Sequence, residues 1–367
     1  MGIFGLFESN DVKSIIKAID NNDSLKVRSI MEKASKSGII LDLNEKDNEG
    51  MCPLLWACNK SNFEIAQLLI EYAGKNKIIL NLNDKSNIGE YPLLLASIKN
   101  NIDIVRLLMA YSNHNNIVLN LNELSDFRDY PLYWATYNNN IELLKLLIEY
   151  ANENHITLFI NEKSKIRCFP LLLACKKNNI EIIKVLMEYS EKNNIVLNIN
   201  DTNKYGCYPI LEATDKNNIE MVKLLYEYAD KHNITLDLNP DDIHRNYPLI
   251  WACYKKNIEM VKLLIDYANK HNITLNIDKT NEFGDYPLFI ATKENNIELT
   301  KLLINYSKEN NINLNLSEED EYNGKNPMYW ATKNKNMEIT QLLINNLKDN
   351  KSILKMNERD IGNAKML

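Results

Sequence analysis

Histidine, cysteine and carboxylate side chains are the groups in this 367-residue chain that could bind a metal or carry out acid–base and nucleophilic chemistry. The six Cys contain no C-x-x-C pair. The phosphate-binding pattern G-x-x-x-x-G-K-[ST] and the nucleophile pattern G-x-S-x-G are absent from the sequence. The five His stand singly and never pair at the spacing of metal ligands: His114, His155, His232, His244 and His271. We therefore predict no metal, no cofactor and no enzymatic activity.

The carboxylates and cysteines recur at a fixed interval, which indicates a structural role. Glu142, Glu181 and Glu220 follow one another in steps of 39 residues, and a solvated helix face explains such a series. General acid–base catalysis would instead need an isolated carboxylate pair that departs from the pattern. Cys58 and Cys175 likewise share one position of the period, as small buried thiols would. Reduced thiols are typical of the cytosol or nucleus, and we expect the protein in one of these compartments.

The prolines indicate that the whole chain is built from repeats. Eight of the nine prolines follow one another in steps of 39 residues, with a last step of 40: Pro53, Pro92, Pro131, Pro170, Pro209, Pro248, Pro287 and Pro327. Such a series is typical of a protein in which one small helical or stranded unit recurs and stacks on its neighbours. We therefore expect a single elongated array in place of several globular domains.

The unit that begins at Pro248 predicts two helices followed by an extended arm. Proline suits the first turn of a helix, so a short helix is expected over Leu249 to Tyr254. A longer helix is expected over Ile258 to Lys270, where apolar residues cover most of the surface, as in a helix packed between neighbours. The alternating run from Ile273 to Asp278 predicts either a short strand or a loop arm. Turn residues then lead to the next Tyr-Pro.

Asparagine and tyrosine occupy fixed positions of the repeat for which we predict structural roles. The pair Asn139-Asn140 stands between the two helices, since Asn tolerates the left-handed conformation that ends a helix and also caps the next one. The tyrosine series that includes Tyr150 should form a packed ladder along the second helices. The series of arm asparagines that includes Asn83 and Asn122 is expected to form hydrogen bonds between repeats.

The phrase Tyr-Pro-Leu-x-x-Ala-Thr/Cys, followed by x-x-Asn-Asn-Ile-Glu-x-Val-Lys-Leu-Leu, resembles the ankyrin repeat, whose first helix opens Thr-Pro-Leu-His-x-Ala-Ala. The resemblance covers roughly residues 11–347. Tyr91 and Tyr130 stand where the family prefers Thr, and the repeat is longer than the family's, with the surplus after the second helix. Helical repeats of the armadillo or HEAT type are the structural alternative. The resemblance implies stacked helix pairs, projecting loop arms and recognition of proteins through loop tips and first helices.

The predicted fold class is an all-α solenoid of stacked helix-turn-helix, ankyrin-like repeats with projecting loop arms. Residues 1–51 are expected to form a degenerate N-terminal capping repeat, 52–326 seven repeats, 327–349 a C-terminal capping repeat, and 350–367 a flexible tail. The sequence contains no apolar run of 18 residues and does not start like a signal peptide. We therefore expect no membrane association.

Function is expected where the repeat pattern varies on an exposed face. In the ankyrin fold this means the turn tips before each proline and the ends of the first helices. We predict that eight residues at these positions contact a partner: Phe127, Asp129, Tyr137, Tyr205, His244, Tyr254, Phe283 and Asp285. Tyr and Phe are frequent interface anchors. The alternative is that the aromatic tips only stack on adjacent tips.

The partner predicted by these observations is a protein or peptide bound along the concave face and the loop tips by a monomeric scaffold. A second hypothesis is a reader of single-stranded RNA that uses aromatic residues spaced by the repeat. The net charge of −6, the pI near 5.6 and the interleaved Lys and Glu disfavour it, since a nucleic-acid binder should carry a basic stripe. A third hypothesis is a targeting subunit of a larger enzyme.

Overall fold

The fold was examined in a computed structural model that describes residues 8–314, 316 and 325–349. Residues 1–7 of the predicted N-terminal cap and the predicted tail at 350–367 lie outside the described residues. The described residues fold into eighteen α-helices, numbered in chain order, and no strand is present among them. The helices fall into two compact units, Met1–Leu197 with helices α1 to α10 and Asn198–Leu367 with helices α11 to α18.

From α3 onward the helices alternate between a short and a longer type, as the repeat predicts, whereas α1 and α2 have equal lengths. The first helix of each pair is α1 Glu8–Asp20, α3 Pro53–Asn59, α5 Pro92–Ile98, α7 Pro131–Tyr137, α9 Pro170–Lys176, α11 Pro209–Asp215, α13 Pro248–Tyr254, α15 Pro287–Lys293 and α17 Pro327–Lys333. The second helix is α2 Ser24–Lys36, α4 Phe63–Asn76, α6 Ile102–His114, α8 Ile141–Glu153, α10 Ile180–Lys192, α12 Ile219–Lys231, α14 Ile258–Lys270, α16 Ile297–Glu309 and α18 Met337–Asp349.

Each unit is an α-solenoid made of two helical layers. Within the first unit, α3, α5, α7 and α9 pack on one another in sequence, and α2, α4, α6, α8 and α10 do the same behind them. The second unit repeats this arrangement with α11 to α18. The predicted fold class is therefore confirmed, and the helix predicted over Ile258 to Lys270 has these bounds. The assignment of the terminal helix pairs as capping repeats stays a prediction.

The asparagine pair between the helices has the two roles expected of it. Asn139 adopts a left-handed backbone with φ of 57°. Asn140 then caps α8, because its side-chain Oδ1 accepts a hydrogen bond of 2.9 Å from the backbone N–H of Leu143. A left-handed Asn ends the short helix at almost no steric penalty, and its neighbour satisfies an N–H that would otherwise lack a partner. Two residues are thus enough to reverse the chain.

The arms are loops, which settles the choice that the sequence left between strand and loop. Asn side chains connect neighbouring arms in place of a backbone ladder. Asn122 Nδ2 donates a 2.7 Å hydrogen bond to the carbonyl of Thr157, and its Oδ1 accepts one of 2.9 Å from the N–H of Phe159. Asn83 forms the same two bonds with Val118 and Asn120. One Asn per repeat therefore binds a carbonyl and an N–H on one edge of the next arm, and the predicted hydrogen bonds between repeats are confirmed.

Candidate interaction surface

The turn tip before each repeat proline is held in shape by its own backbone and side chains. In the tip that precedes Pro131, the N–H of Ser125 donates to the carbonyl of Asp129 at 3.1 Å, and Ser125 Oγ accepts from the N–H of Phe127 at 3.0 Å. The N–H of Lys165 in the next tip donates to the carbonyl of Phe127 at 3.1 Å. Phe127 therefore lies in a turn that is held by hydrogen bonds within the tip and by one from the next tip.

Four of the five predicted aromatic residues are exposed. The exposed fraction is 54% for Phe127, 42% for Tyr137, 40% for Tyr205 and 42% for Phe283. Lysine ammonium groups lie over several of these rings, as in the pair of Lys165 with Phe127 at 5.2 Å from the ring centroid. Since water-exposed aromatic rings at rigid turns are not required for turning, these four side chains remain candidates for partner contact.

Tyr254 has a different environment from the other four. Its side chain is half-buried, and its hydroxyl donates a 2.6 Å hydrogen bond to Asp285 Oδ2 and accepts one of 2.9 Å from Asn281 Nδ2. Asn281 is fully buried and also accepts the backbone N–H groups of Phe283 and Asp285. Burial, followed by the neighbouring Asp285 carboxylate, raises the pKa of Tyr254 above its ordinary value. Tyr254 thus supports the tip that carries Phe283.

The expectation that Asp129 and Asp285 are exposed tip residues is wrong. Only 7% of Asp129 and 8% of Asp285 are accessible to solvent. Asp129 accepts hydrogen bonds from the Ser125 hydroxyl and, at 2.8 Å, from the indole Nε1 of Trp134. A carboxylate at this position has turned inward because the turn and the following helix supply donors for it. The sequence could not show this, since the same position carries Glu90 one repeat earlier.

His244 is exposed at its tip and pairs with the tip that follows. Its Nδ1 lies 2.8 Å from Glu282 Oε1. The hydrogen bond and charge of Glu282 raise the pKa of His244 above the ordinary histidine value. The N–H of Glu282 also donates to the carbonyl of His244 at 3.1 Å. The imidazole therefore links two tips, while about half of the side chain stays exposed to solvent.

A cavity of about 380 Å³ opens beside the Phe127 tip in the first unit. Its apolar walls are the side chains of Ile98, Phe127, Tyr133, Trp134 and Ile166. The rings of Trp134 and Tyr133 form a T-shaped pair with 5.7 Å between their centroids. The side chain of Trp134 is partly exposed at this cavity. A concave site with aromatic walls is the usual form of a binding pocket.

Two polar side chains of this cavity were not identified as site residues from the sequence, Glu90 and Ser164. Burial, together with the nearby negative charge of Asp129, raises the pKa of the Glu90 carboxyl, while Lys99 opposes the shift. Glu90 is one of several acidic side chains near the turns, and its position at the cavity is visible only in the tertiary structure. Burial also raises the pKa of Tyr133 to about 12, so its phenol stays protonated at neutral pH.

Among residues 8–314, 316 and 325–349, no three His, Cys, Asp or Glu side chains come together as metal ligands would. In the described ranges, no helix has both the length and the apolar character that crossing a bilayer requires.

Comparison with known families agrees with the repeat architecture. A family model described as ankyrin repeats, in three copies, matches the chain in overlapping segments at residues 15–120, 109–196, 132–237, 193–274 and 249–354. The chain belongs to the ankyrin repeat family. Ankyrin repeats are generally protein–protein interaction modules, and the family is typically without catalytic activity. A comparison with curated proteins found no match.

One departure of this ankyrin repeat protein from its family has a clear physical role. Tyr stands before the repeat proline where the family prefers Thr. The ring of Tyr91 is fully buried, and its hydroxyl donates a 2.9 Å hydrogen bond to the carbonyl of Glu123 at the start of the next tip. Tyr130 makes the equivalent bond to Glu162. A long side chain here connects successive repeats, whereas Thr could only cap its own helix.

Proposed function

We propose that this ankyrin repeat protein is a non-catalytic scaffold that binds an extended segment of a partner protein along its first helices and tips. The observation that carries the proposal is the set of exposed aromatic rings at rigid positions: Phe127, Tyr137, Tyr205 and Phe283. Rigid, amphipathic rings bury large area on binding at a small loss of side-chain entropy, which makes them effective interface anchors. The cavity beside Phe127 offers a place for one partner side chain.

The remaining predicted site residues have supporting positions in this proposal. His244 extends the exposed surface, since its side chain faces solvent beside Glu282. Tyr254 and Asp285 hold the Phe283 tip, and Asp129 holds the Phe127 tip, through the hydrogen bonds described above. We further propose that the scaffold acts as a monomer in the cytosol or nucleus, where thiols such as the six of this chain stay reduced.

The experiment that tests the proposal compares affinity capture by two variants. The test variant carries Phe127→Ala, Tyr137→Ala, Tyr205→Ala and Phe283→Ala, while Tyr254 is left unchanged because it supports a tip. The control variant removes four equally exposed apolar side chains from the arms, through Ile79→Ala, Val118→Ala, Phe159→Ala and Val196→Ala. Circular dichroism and thermal unfolding establish that both variants fold.

We expect a partner that binds the wild type and the control variant and loses affinity for the test variant by about tenfold or more, as interface aromatic anchors contribute on the order of 1–2 kcal/mol each. Equal capture by the wild type and the test variant would show that these rings do not form the binding surface. If only the control variant fails to capture the partner, the binding surface lies on the arms.

A further inference from the structure

The cavity beside Phe127 combines apolar walls with two polar side chains, Glu90 and Ser164, whose hydrogen-bonding capacity is incompletely used within the protein. In the part of the chain that the structure describes, the Glu90 carboxylate forms no ion pair or hydrogen bond. It is half-buried, and its pKa is raised by burial and by Asp129. A carboxylate in this situation gives up hydration without an ion pair or a hydrogen-bond donor, and the charge of Lys99 offsets only part of that loss. A ligand that brings a positive charge to Glu90 would recover that loss.

The second polar group is the hydroxyl of Ser164 in the next tip. Ser164 is 6% exposed and lines the cavity, and its buried Oγ forms no hydrogen bond of acceptable geometry. The reason is a change between repeats. In the preceding tip the equivalent Ser125 hydroxyl donates to Asp129, but Cys168 occupies the position of that aspartate in the tip of Ser164. The hydroxyl therefore lies buried in the wall of the cavity, where the Tyr133 phenol is its polar neighbour and its oxygen keeps a lone pair for a further donor.

The walls of the cavity suit a cation. Phe127, Tyr133 and Trp134 line it together with the Asp129 carboxylate, and aromatic rings attract positive charge through their quadrupoles. The chain already uses this property at the rim, where Lys165 Nζ lies 5.2 Å from the centroid of the Phe127 ring. Lys165 is exposed and itself lines the cavity, so its ammonium would compete with a cation that enters.

We infer that this cavity binds an arginine side chain of the partner segment, with Glu90 as its counter-charge and Ser164 as a second acceptor. Arginine fits better than lysine because its planar group stacks on aromatic faces and carries five donors that can reach two separate acceptors. Its weaker hydration also lowers the loss on entering a partly apolar site. The inference rests on the proposed function, since it names the chemistry of the partner at this site.

The test uses small probes and does not depend on a partner. The ¹⁵N-labelled full chain is titrated with Nα-acetyl-arginine amide, with the lysine analogue, and with the citrulline analogue, which has nearly the shape of arginine but no charge. The indole N–H signals of the four Trp report binding, and Trp134→Phe assigns the signal of Trp134. A probe of this size should bind weakly, with a dissociation constant on the order of millimolar.

We expect the arginine probe to shift the Trp134 signal selectively, and the citrulline probe to need about tenfold higher concentration or more, because a charge-assisted hydrogen bond is lost. Glu90→Gln should lower the affinity for the arginine probe by a similar factor, and Ser164→Ala should lower it by about two- to fivefold. Lys165→Ala should raise the affinity for the arginine probe about two- to threefold, because it removes a like charge. Glu181→Gln, which removes a carboxylate from the distant α10 surface, is the matched control and should change nothing.

Equal responses to arginine and citrulline, or an unchanged affinity in Glu90→Gln, would overturn the arginine assignment. A shift of all four indole signals in parallel would do the same, since it would show non-specific binding. None of these results bears on the capture experiment. If the test variant of the capture experiment loses the partner, the scaffold proposal stands even when the arginine site is rejected. An arginine site without any tip-dependent partner would reject the scaffold proposal alone.

Discussion

The residue three positions before each repeat proline has a left-handed backbone in every described tip. Glycine fills this position at Gly50, Gly89, Gly206 and Gly284, and arginine at Arg128, Arg167 and Arg245. The φ values lie between 74° and 78° for the glycines and between 58° and 61° for the arginines. The left-handed conformation costs an L-residue about 1–2 kcal/mol, so the arginine tips tolerate strain that the glycine tips avoid.

We predict that Gly206→Ala destabilises the protein by about 1–3 kcal/mol. A Cβ at Gly206 would lie 2.8 Å from the carbonyl oxygen of Asp241 in the next tip, in addition to the left-handed strain. Arg245→Ala is the matched control, because its tip has already accommodated a Cβ at φ of 61°. Urea unfolding monitored by circular dichroism measures both. A loss in the control as large as that in Gly206→Ala would contradict the steric explanation.

Glu90 gives a prediction of pH dependence at the residue scale. Its pKa is higher in the folded chain than in the unfolded one, so the folded chain binds this proton more tightly. Stability therefore falls as pH rises from the unfolded value of about 4.3 through the folded pKa. Glu90→Gln should be more stable than the wild type at pH 7 and equal to it near pH 4.

Urea unfolding at the two pH values measures this difference. Glu181→Gln serves again as the control, since Glu181 is exposed and pairs with Lys145 at 2.8 Å, and its loss should change stability by no more than about 0.5 kcal/mol. A Glu90→Gln variant that is less stable than the wild type at pH 7 would show that the carboxylate is stabilised in the free protein, and it would weaken the arginine inference as well.

At the scale of the elements, the second helices are bound to the arms that precede them through tyrosine hydroxyls. Tyr150 OH accepts a 3.1 Å hydrogen bond from the backbone N–H of Leu119 and shares another of 3.0 Å with Ser112 Oγ. Tyr111 and Tyr267 accept the same backbone bond from Leu80 and Leu236. The tyrosine ladder expected from the sequence thus works through hydroxyl groups, each of which satisfies a buried N–H of an arm that has no strand partner.

We predict that Tyr150→Phe destabilises the protein by about 1–3 kcal/mol, because it leaves the buried N–H of Leu119 without an acceptor. Tyr137→Phe is the matched control. The Tyr137 ring is 42% exposed, and removal of its hydroxyl should cost less than about 0.5 kcal/mol. Chemical unfolding measures both variants, and hydrogen exchange at Leu119 should quicken in Tyr150→Phe alone. Unchanged exchange there would argue against the hydroxyl as the anchor of the arm.

The elements were largely predictable from the sequence, whereas the arms and the site were predictable only in part. Local chemistry determines a helix start at a proline or a reversal at Asn139-Asn140, and both were predicted. The alternation of the arms reflects leucines such as Leu80 that face the core, and this pattern is the same for a strand and for a loop. The inward turn of Asp129 depends on the indole of Trp134, a tertiary contact that spacing does not reveal.

At the scale of the whole molecule, repetition and variation are separated on the surface. Ion pairs connect the second helices of neighbouring repeats, as in Lys145 with Glu181 and Lys262 with Glu298. These side chains are half-exposed, so each pair contributes at most about 1 kcal/mol and the stability comes from the buried apolar layers. The regular face is thus structural, and we propose that a partner is distinguished at the tips and first-helix ends, where residue types change from repeat to repeat.

The six thiols allow the packing of the whole chain to be tested in one experiment. Cys58, Cys175 and Cys253 are fully buried in first helices, whereas Cys207 is partly exposed in a tip. Burial also raises the pKa of Cys58 and Cys253, which removes the reactive thiolate. We predict that N-ethylmaleimide labels Cys207 first and the three helix thiols at least about 100-fold more slowly, because they must wait for local opening.

Timed labelling followed by peptide mass spectrometry gives the four rates separately, and labelling in urea supplies the unfolded rates for comparison. Because stacked repeats are stabilised by their neighbours, a buried thiol in any first helix reports the opening of that helix from the helices packed against it. If Cys58 or Cys253 reacts as fast as Cys207, the first helices around it are not packed as described. Slow labelling of all three thiols would show that first helices in both units stay packed against their neighbours. The proposed function requires this packing, because it keeps the tips rigid.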